Sequence, residues 1–340
     1  MAVRKGNHTI LFERPITLAA AAAAVGKKEG EGPLHDYFDR IHTDTTLHEK
    51  SFERAEAALQ KEAFTVLMTK AGIAPSDVSF LFAGDLLNQC ISSTFGLQDF
   101  SVPLFGIYGA CSTFSEGLLL AAMALEGGCG ERAVVVTSSH FCTAERQFRF
   151  PLEYGGLRTP TSQWTATAAG AVLLGHSGTG PRLTAATPGI VTDYGVKDAN
   201  NMGAAMAPAA AVTIGNFFRD TGRCPEDYDL IATGDLGLVG SELLITLLKK
   251  DAIDISRQHN DCGLMLYDVK GQGTTCGGSG CGCSASVFSA YLYDQLKKGR
   301  MHKLLLVSTG ALLSPTSTMQ GENIPCIAHL VEITAGKEDA

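Results

Sequence analysis

The chain has 340 residues, 45% of them hydrophobic and 18% charged, with a net charge of −8 and a pI near 5.6. That length allows one large domain or two packed halves around a sizeable interior. An acidic balance with no clustered basic stripe argues against a nucleic-acid footprint. Ten cysteines (Cys90, Cys111, Cys129, Cys142, Cys224, Cys262, Cys276, Cys281, Cys283 and Cys326) stand at irregular spacings. They read as buried thiols of a reducing compartment rather than a secreted disulfide framework. No stretch approaches the apolar length of a membrane span, so any membrane association is expected to be peripheral.

Arg4 and Lys5 precede a mostly alanine run, Thr17 to Val25, which has the outline of a signal peptide. Glu13 and Arg14 stand immediately before the run, which is short and poor in leucine, so it reads as a first strand entering a small-residue loop. Gly26 to Pro33 is a polar loop. His35, His42 and His48 fall in a stretch rich in Asp and Thr, which reads as a solvated loop or partner surface; a metal site needs closer supporting groups.

From Glu49 to Ala71, Phe52, Ala55, Leu59, Ala63, Val66 and Leu67 recur at three- and four-residue steps, the pattern of an amphipathic helix that Gly72 ends. A turn at Pro75 leads into a strand, Val78 to Ala83, closed by Gly84-Asp85-Leu86. A shift of 150 residues repeats the pattern: Cys224-Pro225-Glu226-Asp227, a strand from Tyr228 to Thr233, then Gly234-Asp235-Leu236. Each copy follows a helix, the second spanning Ala207 to Asp220. Cys111-Ser112 and the helix Phe114 to Ala124 answer to Cys281-Gly282-Cys283-Ser284 and the helix Ala285 to Lys298. The strand Ala133 to Thr137 answers to Leu304 to Ser308, and Gly170 to Gly175 answers to Ile327 to Ile333. A duplicated α/β half explains this, with a central buried pair of helices beginning at Cys111 and near Cys281. The halves are placed at 1–180 and 181–340.

A duplicated α/β half whose central helix opens on a cysteine resembles the thiolase fold of thiolases and ketoacyl synthases, with α-β-α-β-α layers. More narrowly, several motifs resemble the stage V sporulation protein AD family of spore-forming bacteria. They include Ala83-Gly84-Asp85-Leu86-Leu87-Asn88-Gln89, Gly109-Ala110-Cys111-Ser112-Thr113, Thr137-Ser138-Ser139-His140 and Ala144-Glu145-Arg146-Gln147-Phe148-Arg149. Glu153-Tyr154-Gly155-Gly156, Met202 to Ala211, His259-Asn260-Asp261-Cys262-Gly263, Gly277-Gly278-Ser279-Gly280-Cys281 and Thr309-Gly310-Ala311-Leu312-Leu313-Ser314-Pro315 belong to the same set. The resemblance runs nearly end to end. It implies a protein of the developing spore that binds dipicolinic acid and works with the SpoVA membrane proteins of its operon, peripherally at the spore inner membrane on the cytoplasmic, forespore side. It implies no acyl-transfer activity and no cofactor. Related folds often pair as homodimers.

The start of the Cys111 helix offers free N–H groups and a dipole, which either acidify a thiol or hold a carboxylate. Acyl transfer also needs a base and oxyanion donors. The synthase histidine would fall near Gly234-Asp235 and the asparagine near Gly280-Cys281, and neither is present. Asp235 would raise the thiol pKa rather than lower it. His140 either reaches the pocket or bonds backbone as a loop histidine; His176 reads as surface. For a dianion, the donors are the two helix starts and the hydroxyls of Ser112, Thr113 and Ser279. Arg146 and Arg149, three apart, either clamp a carboxylate pair or join Glu145 and Glu153 in a structural network. Asp85 and Asp235 accept bonds from pocket donors, bind a protonated ligand, hold Ca²⁺ that accompanies the ligand, or bond backbone in their turns. Asp85, beside Asn88 and Gln89, is the better pocket candidate. Cys262, Cys276, Cys281 and Cys283 match no zinc-finger spacing, and Gly277-Gly278-Ser279-Gly280 lacks the lysine of a phosphate loop. The reading is a non-enzymatic dipicolinate-binding protein. The alternatives are an active cysteine acyltransferase using Cys111 and a scaffold with a vestigial pocket.

Overall fold

The computed structural model describes residues 2–148 and 158–336. Ten strands carry the architecture: β1 (Thr9–Val25), β2 (Phe80–Gly84), β3 (Leu104–Gly106), β4 (Arg132–Ser139), β5 (Ala168–Gly175), β6 (Arg182–Thr187), β7 (Leu230–Thr233), β8 (His259–Asp261), β9 (Lys303–Ala311) and β10 (Cys326–Thr334). They lie in the order β8-β7-β9-β10-β6-β1-β5-β4-β2-β3, and two short strands, Ala2–Lys5 and Arg40–Ile41, attach to β1. The order reads the same from either end once five is added to each number of the first half. Orientation obeys the same symmetry. β2 is parallel to β3 and β4, as β7 is to β8 and β9. β5 and β10 run antiparallel to their neighbours, and β1 meets β6 antiparallel at the junction.

Six helices complete the layers: α1 (Phe52–Ala71), α2 (Thr113–Glu126), α3 (Phe141–Phe148), α4 (Met202–Thr221), α5 (Gly237–Lys250) and α6 (Cys281–Val287). α6 runs on through a π-helical turn, Phe288–Leu292, into Tyr293–Lys297. α1 covers the outer face of β1, β4 and β5, and α4 covers β9 and β10. α2 lies between β2 and β4 of one half and β9 and β10 of the other, with α6 beside it on β1, β4 and β5. This is the α-β-α-β-α stack. α1 is bounded as its sequence dictates. Ser51 Oγ accepts from Arg54 N at the start, and Gly72 at φ +66° closes the end.

The alanine run departs from expectation: it is strand throughout, with no small-residue loop before Val25. Ala20, Ala22 and Ala24 pack with Leu59, Phe64 and Leu67 of α1, while Ala21 and Val25 pack with Val287 and Phe288 on the other side. A central strand covered by helices on both faces needs small side chains everywhere and so shows no polar alternation. The expected helix from Ala285 begins four residues earlier, at Cys281. All ten cysteines are free thiols.

Candidate functional site

Cys111 sits on a tight turn between β3 and α2. Ala110 takes φ +50°, a left-handed conformation uncommon for a residue with a side chain. The turn is held by its own hydroxyls. Ser112 Oγ donates to Gly109 O at 2.6 Å, Thr113 Oγ1 donates to Ala110 O at 2.6 Å, and Gly109 N donates to Thr113 Oγ1 at 3.0 Å. β9 passes directly behind at Gly310, where a Cβ would lie 2.1 Å from Gly109 O, so only glycine allows this approach. The side chain of Cys111 is left at the head of α2, 7% exposed.

Facing it is Asp235, at the end of β7. Its Oδ1 accepts from Thr309 Oγ1 at 2.6 Å; its Oδ2 accepts from Ser279 Oγ at 3.0 Å and Gly280 N at 3.2 Å. Ser279 Oγ also lies 3.8 Å from Cys111 Sγ. Burial raises the Asp235 carboxyl above the ordinary aspartate range. Burial first, and then the charge of Asp235, lift the Cys111 thiol well above its usual value. The cysteine therefore stays a neutral thiol near pH 7.

Cys111 and Ser279 line a narrow cleft of about 50 Å³; Asp235, bonded to Ser279, is not part of its lining. Its walls are mostly apolar, with Leu86, Ala144, Phe148, Met202, Ala311 and Leu313, and its polar lining comes from Cys111, Ser279, Gln163, Thr165 and Glu145. Glu145 is bonded to Arg158, whose Nη1 donates to Gln163 O at 2.8 Å. The guanidinium of Arg158 stacks over Phe141 and Trp164, 5.0 and 4.8 Å from the ring centres. Sequence reasoning singled out neither Gln163 nor Arg158. Gln163 is brought in by a two-residue parallel pairing of Trp164–Thr165 with Gly278–Ser279, too short to leave a periodic signal.

The structure brings together Cys111, Asp235 and Ser279 of the expected set, with Cys281 packed alongside. The Cys281 thiol donates to Ser138 O at 2.9 Å. Ser112 and Thr113 spend their hydroxyls inside the turn. Neither Asp85 nor Asp235 lines the cleft, and Asp235 reaches it only through its bond with Ser279. Asp85 Oδ1 accepts from Leu87 N at 2.9 Å, and its Oδ2 accepts from Ser93 N and Oγ at 2.8 and 2.7 Å. His140 takes its backbone alternative: Nε2 meets Thr45 O at 2.8 Å and Nδ1 accepts from Cys142 N at 3.1 Å. Arg146 is half exposed and ion-paired with Glu53, so the expected partner Glu145 belongs to Arg158 instead. Arg146 and Asn88 line a second, neighbouring groove with Gln89, Ile91 and Met319. Arg149 and Glu153 lie outside the described residues.

Two solved structures share this architecture. The 3-oxoacyl-[acyl-carrier-protein] synthase III of Aquifex aeolicus aligns with a TM-score of 0.57 at 11% identity, covering 94% of this chain and 99% of that one. Cerulenin-bound OleA of Xanthomonas campestris aligns at 0.61 and 16% identity, covering 95% and 97%. The fold is thiolase-like. The family model described as Stage V sporulation protein AD (SpoVAD) matches residues 6–334. Stage V sporulation protein AD of Bacillus subtilis (strain 168) is 43% identical over 324 residues, which is 95% of this chain and 96% of that protein. The chain belongs to the SpoVAD family of sporulation proteins.

Proposed function

We propose that this protein is a non-enzymatic binding protein for dipicolinic acid, and that the Cys111 cleft is its binding site. The observation that carries the reading is Asp235. It stands beside Cys111 where the resemblance to ketoacyl synthases leads one to expect a histidine base, and burial first, then its charge, raise the thiol pKa instead of activating the thiol. The cleft suits a flat aromatic acid. Apolar walls accept the ring, and the Cys111 thiol, the Ser279 and Thr165 hydroxyls and the start of α2 offer polar contacts for a carboxyl group. Ca²⁺ is a candidate companion, since the carboxylate of Glu145 lines the cleft.

The remainder of the proposal follows from family membership. The protein supports uptake of dipicolinate into the developing spore with the SpoVA membrane proteins, docking peripherally at the inner membrane from the forespore cytoplasm. Among the described residues no helix is long and apolar enough to cross a membrane. Edge strand β3 exposes Leu104 and Phe105, apolar surface of the kind a second copy covers in a homodimer. Sedimentation velocity should then give the dimer mass, with Phe105→Asp shifting it to the monomer; a wild-type monomer at micromolar concentration rejects the pairing. Calorimetric titration with dipicolinate, with and without Ca²⁺, tests the binding itself. Saturable heat is expected, and a flat trace in both conditions rejects the function.

A further inference from the structure

The narrow cleft has a roomier neighbour. The groove that Arg146 and Asn88 line encloses about 610 Å³, against about 50 Å³ for the cleft, and Phe148 of α3 is a wall of both. Small-molecule sites run from about 300 to 1,000 Å³. The groove therefore has room for an aromatic ring with two carboxyl groups, whereas the cleft must widen to admit one.

Charge separates the two in the same sense. Among the described residues, the one charged side chain lining the cleft is Glu145, an acid already held by Arg158. A dianion reaching this chain of net charge −8 finds no cation among that lining. The groove supplies one. Arg146 is half exposed and ion-paired with Glu53, and both line the groove. A guanidinium takes a carboxylate through paired N–H groups, so Glu53 occupies the place that a ligand carboxylate would take. Once displaced, Glu53 keeps a favourable setting in the first turn of α1, where the helix dipole favours negative charge. Asn88 Oδ1 accepts from Gln147 Nε2 at 3.4 Å, which leaves Asn88 Nδ2 as the donor for a second carboxylate. The turn that presents it is strained, with Gln89 at φ +56° and Cys90 at φ +51°.

We propose that the groove is the landing site of the ligand: an aromatic dicarboxylate first displaces Glu53 from Arg146, then passes Phe148 into the cleft. The inference rests on the binding function proposed above. Glu53 competes for the same guanidinium and the groove is open to solvent, so the landed complex is weak and short-lived. Equilibrium heat therefore reports the cleft, and the groove shows in the kinetics of entry.

The test is stopped-flow mixing of the full chain with pyridine-2,6-dicarboxylate. Entry is followed by the ligand's ultraviolet absorbance and by the fluorescence of Trp164, the only tryptophan, which stands between the cleft residues Gln163 and Thr165. The observed rate should rise with ligand concentration and level off, as a fast landing step before a slower entry step requires. Arg146→Gln should raise the half-saturating concentration about tenfold, and Glu53→Gln, which frees the guanidinium, should lower it about threefold. Neither side chain lines the cleft, so the limiting rate should stay within about twofold. A rate strictly proportional to ligand, or half-saturating concentrations that the two substitutions leave unchanged or move the same way, overturns the landing site. Absence of any binding signal, in the optical traces and in calorimetry alike, instead removes the function on which it rests.

Discussion

At the scale of single residues, the site is decided by which aspartate caps which turn. In the first half Asp85 accepts Leu87 N and so holds its own turn. In the second half the corresponding N–H groups, Leu236 and Gly237, go to Asp261 at 2.8 and 3.1 Å. Asp261 pairs with Thr233 at the register where Gly106 pairs with Ala83 in the first half. A glycine there cannot cap, so Asp85 must; an aspartate there can, so Asp235 turns to Cys111. The consequence is measurable. A neutral, buried Cys111 should react with iodoacetamide at pH 7.5 at least about tenfold more slowly than the exposed Cys129. Asp235→Asn, which removes the opposing charge, should speed it. Rapid labelling that does not vary with pH would mean a thiolate, and with it an enzyme.

At the scale of elements, the central helix α6 is seated by backbone contact. A Cβ on Gly282 would fall 2.2 Å from Ala168 O, and one on Gly170 would fall 2.3 Å from Ala285 O. Neither opposing atom is a movable side-chain tip, so Gly282→Ala must push helix from strand at about 1–3 kcal/mol, the usual toll of overpacking. Thermal unfolding of the variant should fall by several degrees, and an unchanged midpoint would show that the layer tolerates the shift. The same closeness explains what the sequence concealed. The helix α1 was legible because one face meets solvent, giving a 3.6-residue rhythm between Ser51 and Gly72. The alanines of β1 have helices on both faces, so the expected first strand lacks the alternation that would have shown it running on to Val25. Gln163 depends on a two-residue pairing with Ser279, which no local pattern announces. Cys111 and Asp235 were legible as neighbours through the repeat, but the exchange of roles between Asp85 and Asp235 was not, because it depends on Asp261 in an adjacent strand.

At the scale of the whole molecule, folding buries several carboxyl groups in the central layers. Glu56 on α1 is fully buried, accepts from Ser138 Oγ at 3.2 Å and Thr143 Oγ1 at 2.7 Å, and is pushed up to about 8 by burial and then by the charge of Asp85. Asp261 is pushed up to about 7, chiefly by burial. Such acids keep their protons in the folded chain and lose them in the unfolded one. Their stabilisation is complete below pH 4 and declines as pH rises through the folded-state values near 7 and 8. His259 and His329, buried and held down to about 4, oppose this trend below about pH 6.5. The free energy of unfolding should therefore fall from about pH 6.5 to pH 8, by on the order of 1 kcal/mol per pH unit for each group over its window. Glu56→Gln should reduce that slope and raise the midpoint at pH 8. A midpoint that rises over this range would contradict the burial of these acids in neutral form.

Cys111 and Asp235 belong to opposite halves of the duplicated sheet, and the proposed binding cleft is lined by residues of both. A calorimetric titration of dipicolinate into the wild type and into Ala311→Trp tests that claim most directly, because Ala311 is a buried wall of the cleft at the end of β9. The prediction is saturable heat for the wild type and none for the variant, with both proteins unfolding within a few degrees of each other. Equal binding by the blocked variant would move the site elsewhere, and no binding by the wild type would contradict the function.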